Sequence, residues 1–118
     1  MIVVTGGGGF LGGAIVRQLL DRDESVRSVQ RSDVPSLRAL GVDVVRADLS
    51  DAASCLKALR GAQAVIHVAA KAGVWGSRSS YYAANVTATD NIISACRTLG
   101  ISKLVYTSTP SVVHAGGD

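Results

Sequence analysis

Apolar residues along the chain fall into two alternating patterns. Short, mostly β-branched runs at 2–5, 25–30, 43–46, 64–68 and 103–107 predict strands, and their near-continuous apolar character suits strands covered on both faces. Between them the spacing lengthens to that of helices at 10–20, 52–59 and 79–99, with Leu11, Ile15, Leu19 and Leu20 on one side of the first. Ser50 and Asp51 are natural caps for the middle helix, and Gly61 and Gly100 stand where helices should stop. A helical turn over 35–40, closed by Gly41, joins the second strand to the third. Strand, helix, strand, repeated to five strands, predicts an α/β domain with a parallel, doubly wound sheet and helices on both faces. All 118 residues fit one such domain, with no linker or low-complexity tract.

The join between the first strand and the first helix reads TGGGGFLG. Consecutive glycines are costly to order, so they call for a reason. Thr5, Gly6, Gly9 and Gly12 satisfy T-G-x-x-G-x-x-G, while Gly7, Gly9 and Gly12 satisfy G-x-G-x-x-G. In a strand-to-helix turn such glycines allow a positive φ, a close approach of a pyrophosphate to the backbone, and tight helix packing on the strand. The N–H groups of the helix start then favour the anionic phosphates. The motif predicts dinucleotide binding, with Thr5, Gly6, Gly9, Phe10, Leu11 and Gly12 around the phosphates. The fold is then of Rossmann type.

The end of the second strand selects the cofactor. An acid about twenty positions past the glycines would bind the ribose hydroxyls of NAD, whereas arginine accommodates the 2′-phosphate of NADP. Here the stretch is SVQRSD, with Arg31 able to offer a planar fork of donors and Ser32 a hydroxyl. NADP is the preferred cofactor, with NAD as the second.

Composition removes other classes. The chain is 47% hydrophobic and 18% charged, which suits a packed core rather than disorder. The net charge of +3 comes from nine arginines and three lysines that are scattered, and aromatics make up 4%, so neither the basic stripe nor the stacking platform of a nucleic-acid binder is present. Cys55 and Cys96 lie in no metal-like spacing and read as buried thiols in a reducing cytoplasm. No apolar run reaches the length of a membrane span.

Five motifs in order, the glycine turn, ADL at 47–49, VIHVAA at 65–70, YYAANVTATDNIISAC at 81–96 and KLVYTSTPSVV at 103–113, resemble the extended short-chain dehydrogenase/reductases, of the NAD-dependent epimerase/dehydratase superfamily. Among these the chain is most similar to the 3β-hydroxysteroid dehydrogenase-like branch. The resemblance implies a five-strand order of 3-2-1-4-5. It places Asp48 on the adenine amino group with Leu49 beside it, and Ala69 and Ala70 where small residues let the backbone pass the ribose. Asn85 matches an asparagine that supports the active site, and Thr109, with Ser108 as the near alternative, matches the catalytic hydroxyl. Lys71, Trp75 and Arg78 fall where the family lines its substrate pocket. His67 reads as a satisfied, half-buried histidine.

One departure matters. The family's proton donor is the tyrosine of a Y-x-x-x-K motif, and here Tyr81, Tyr82 and Tyr106 are followed four places on by Asn85, Val86 and Pro110. In the family that motif lies further along. The expectation is therefore an amino-terminal part of an oxidoreductase that moves hydride between a nicotinamide and a 3-oxo or 3β-hydroxy substrate, without turnover by itself. The resemblance also implies a homodimer for the full-length form, through the helix at 79–99. Two other readings stay open: a non-catalytic NADP-binding sensor or scaffold module, and part of a nucleotide-sugar epimerase or dehydratase.

Overall fold

In the computed structural model the described residues are 1–69 and 78–108, with side chains left aside at 69, 78–84 and 108. Five strands and four helices alternate: β1 (Ile2–Thr5), α1 (Phe10–Asp21), β2 (Val26–Gln30), α2 (Pro35–Arg38), β3 (Asp43–Arg46), α3 (Ala52–Leu59), β4 (Ala64–Ala69), α4 (Arg78–Leu99) and β5 (Lys103–Ser108). The strands form one parallel sheet in the order β3-β2-β1-β4-β5. The order reverses between β1 and β4, because the chain winds outward through β2 and β3 and then crosses back. Predicted element bounds agree to within one or two residues.

Strand alternation divides the core in two. Val3, Val29 and Val65 face α3 and α4, where they meet Cys55, Leu59, Ile92 and Cys96. Val4, Val26 and Val44 face the other way, onto Val16 of α1 and Leu37 of α2. Both cysteines are buried, and burial pushes the Cys55 thiol up to about 11. Each is therefore a small core residue rather than a reactive one.

The predicted side of α1 packs on the core through Ile15, Leu19 and Leu20, and the helix also buries Gly12, Gly13 and Val16, while Leu11 is half-buried. The first turn of α1 lies so near the exit of β1 that no side chain fits at Gly12. Asp51 caps α3 as predicted, its carboxylate accepting from the Ser54 N–H at 3.3 Å and hydroxyl at 2.5 Å. Gly41, Gly61 and Gly100 all take positive φ at the ends of helical segments. Arg27, a charge within β2, reaches out to Asp43 and to the Ala58 and Arg60 carbonyls at the end of α3.

Candidate functional site

The carboxyl ends of β1, β2 and β3 lie along one edge of the sheet, and the loops leaving them build the site. The glycine loop leaves β1 at Gly6, the loop's one residue with positive φ (+73°), whose N–H donates to the Val29 carbonyl at 2.8 Å. Gly12 closes the loop from the other side. A Cβ there would stand 2.7 Å from the Gly6 carbonyl carbon and 3.0 Å from Gly7 Cα, so no side chain fits. Gly7 is confined as well, since a Cβ there would run into the Ser28 hydroxyl and stand 3.0 Å from Ser28 Cβ of β2 and 3.2 Å from Val16 Cγ2.

Gly9 is the N-cap of α1 and no side chain caps the helix, so the first-turn N–H groups at Phe10, Leu11 and Gly12 are left for an anion. Phe10 stands almost fully in solvent, 99% exposed. The β2 exit lies close by, since a Cβ at Gly8 would come within 2.8 Å of Val34 Cγ2.

Arg31 and Asp48 are brought together, their side chains paired at 3.2 Å across the exits of β2 and β3. The pair is solvent-exposed, so Arg31 is held only loosely and can turn. Ser32 is exposed beside it. Asp48 also accepts from the Ser50 hydroxyl at 2.6 Å and the Ser50 N–H at 3.0 Å, and these bonds, ahead of Arg31, hold its carboxyl below the usual range. An ionised carboxylate in a fixed turn suits an amino-group donor. Leu49 is half-buried against the core, and its carbonyl is held by Asn91 of α4 at 2.9 Å.

Thr5 enters the site differently from its neighbours. It is 1% exposed, and its hydroxyl accepts from the Val68 N–H at 3.0 Å and bonds His67 Nδ1 at 2.7 Å. Its contribution is to fix where the loop begins. His67 is more deeply buried than the sequence suggested, at 6% exposure, and its Nε2 meets the Thr89 hydroxyl at 3.1 Å. Sequence reasoning gave no part to Thr89 or Asn91, since nothing in their spacing signals a partner.

Asn85 is half-buried on α4, one helical turn before Thr89. Ala70, Lys71, Trp75 and Thr109 lie outside the described residues, and Ala69, Arg78 and Ser108 are described in their backbone alone.

The described residues fit a dinucleotide. The glycine turn leaves backbone bare at the N-terminus of α1, and Gln30 Nε2, at the end of β2, is a buried donor without a partner among the described residues. The family model described as "3-beta hydroxysteroid dehydrogenase/isomerase family" matches residues 3–118. The chain belongs to that family. Among its relatives, the 2-alkyl-3-oxoalkanoate reductase of Stenotrophomonas maltophilia (strain K279a) is 55% identical over 113 residues, covering 96% of this chain and 34% of the reductase. The 3 beta-hydroxysteroid dehydrogenase/Delta 5-->4-isomerase of Mycobacterium tuberculosis (strain ATCC 25618 / H37Rv) is 37% identical over 124 residues, covering 98% of this chain and 33% of that enzyme. A crystal structure of a short-chain dehydrogenase/reductase superfamily protein from Agrobacterium tumefaciens, with bound NAD, superposes with a TM-score of 0.76 at 28% identity, over 90% of this chain and 31% of that one. The chain thus spans about a third of the length of these relatives. No helix among the described residues is long and apolar enough to cross a membrane.

Proposed function

We propose that this member of the 3-beta hydroxysteroid dehydrogenase/isomerase family supplies the dinucleotide-binding part of an NAD(P)-dependent oxidoreductase acting on a ketone or secondary alcohol, with NADP preferred. The observation that carries the reading is the turn formed by Gly6 and Gly12 at the uncapped start of α1, beside the point where the strand order reverses. The N–H groups of residues 10–12 hold the pyrophosphate, and the Asp48 carboxylate accepts from the adenine amino group. Arg31, swung from Asp48, pairs with the 2′-phosphate alongside Ser32 and Gln30 Nε2, whose partner is missing among the described residues. Ala69 and Ala70 let the backbone pass the ribose.

When bound, the nicotinamide supplies or accepts the hydride. Thr109, with Ser108 beside it, orients the substrate oxygen, and Asn85 supports that arrangement from α4. The names of two relatives, a 3-oxoalkanoate reductase and a 3β-hydroxysteroid dehydrogenase, share an oxygen at carbon 3, and a 3-oxo or 3-hydroxy substrate is the class we assign. The acid-base tyrosine of the family is not among these 118 residues, so the 118 residues alone bind cofactor without turnover. The complete enzyme is a cytoplasmic homodimer in this reading.

Titrating the chain with NADPH and NADH, by fluorescence or calorimetry, tests the assignment. Tighter binding of NADPH, with the preference erased in Arg31→Ala, is the expected result. Absence of binding by either nucleotide overturns it.

A further inference from the structure

β1 ends at Thr5, directly before the phosphate loop, and parallel pairing brings Thr5 level with His67. At Gly6 the chain turns away from β4, so its backbone no longer continues the ladder there, and the Thr5 hydroxyl takes the Val68 N–H instead. That same hydroxyl bonds His67 Nδ1, while Nε2 bonds Thr89 of α4. All three side chains are withdrawn from solvent to differing degrees, and the Tyr106 ring closes over the imidazole with centroids 5.4 Å apart.

Donor counting fixes the proton. One lone pair of Thr5 Oγ1 is taken by the Val68 N–H. If Nδ1 also donated to Thr5, the Thr5 hydroxyl hydrogen would be buried with no acceptor among the described residues. With the proton on Nε2 every group is satisfied: Thr5 donates to Nδ1 and Nε2 donates to Thr89.

We propose that His67 is a positioning residue for the dinucleotide site: through Nδ1 it orients the Thr5 hydroxyl that anchors the start of the glycine loop, while Thr89 accepts from Nε2 and holds the ring in place. The proposal rests on the reading of the glycine loop as a phosphate site. Among the described residues the side chains that bond or stack on the ring are Thr5 from β1, Thr89 from α4 and Tyr106 from β5, with no carboxylate, lysine or arginine among them. Protonation would turn Nδ1 into a donor and strand the Thr5 hydrogen. Nucleotide affinity should therefore fall as the pH drops below the ordinary histidine range.

The two nitrogens can be separated by substitution. His67→Asn places an amide oxygen near the Nδ1 position and keeps the Thr5 bond, whereas His67→Gln reaches toward Thr89 and loses it. His67→Phe keeps the ring's volume and removes both bonds, and Thr89→Val removes only the far one. Binding of NADPH by each variant, at neutral pH and across the acid range of histidine titration, is measured beside thermal unfolding. We expect His67→Phe and His67→Gln to weaken binding about tenfold, His67→Asn to recover most of the affinity, and the acid fall in affinity to vanish in His67→Phe. Thr89→Val, which removes only the partner of Nε2, should weaken binding less than His67→Phe does. If His67→Phe does not fold, the comparison of His67→Asn with His67→Gln decides. Equal affinities in those two variants, or wild-type affinity in a folded His67→Phe, overturn the proposal while leaving the phosphate site intact. Failure of the wild-type chain to bind nucleotide overturns the phosphate reading itself, and this proposal with it.

Discussion

Replacing Gly12 by alanine puts one methyl group between α1 and the start of the glycine loop. The new Cβ would run into the Gly6 carbonyl oxygen and stand 2.7 Å from its carbon, where ordinary contact begins at 3.4 Å, so α1 must retreat by more than the 0.7 Å between those two distances. Both sides of the clash are backbone, and no side chain can swing aside. Forced backbone shifts of this kind cost about 1–3 kcal/mol, against which alanine's better helix propensity returns about 1 kcal/mol. The expected net loss is up to about 2 kcal/mol in urea unfolding, with the m-value unchanged. Nucleotide affinity should fall by at least about tenfold, because the first-turn N–H groups move with the helix.

Gly9→Ala is the contrast. Its φ is −81° and its Cβ would meet the Gly6 oxygen at 3.4 Å, an ordinary contact. Stability should change by no more than about 1 kcal/mol, yet binding should weaken, since a methyl group there stands in the path of the pyrophosphate. Wild-type stability and affinity in Gly12→Ala would refute the packing described for this turn.

Burial lowers the His67 pKa, so the folded state favours the neutral ring and the unfolded state takes up a proton more readily near the ordinary value of 6.5. The sign follows: stability is fully present above that value and declines as the pH falls through it toward the lowered folded value, by at most about 1.4 kcal/mol per pH unit from this one group. Urea unfolding at successive pH values should show the slope, and His67→Phe should lack it. Separately, β5 exposes Leu104, Val105 and Tyr106, and no strand among the described residues pairs its outer edge. Light scattering should show association that grows with concentration; a monomer across a wide range would contradict it.

The alternation of β-branched runs with helical spacing was enough to set five strands, the caps and the parallel sheet, because those signals are local and repeat along the chain. The glycine spacing likewise located the turn, since positive φ at Gly6 and the lack of room at Gly12 are demands on residue type. Which residues face one another was a different matter. Thr5 and His67 are 62 positions apart, and nothing in either neighbourhood shows that one hydroxyl will serve both a histidine and a backbone N–H. Arg31 read as a phosphate ligand, and only the folding of two strand exits onto one edge set it against Asp48. The inner face of α1 carries Ile15, Leu19 and Leu20 as the spacing predicts, and adds Gly12 and Gly13, which it does not: periodicity gives a stripe, but the depth at which a helix sits on its sheet is decided by the backbone beneath it.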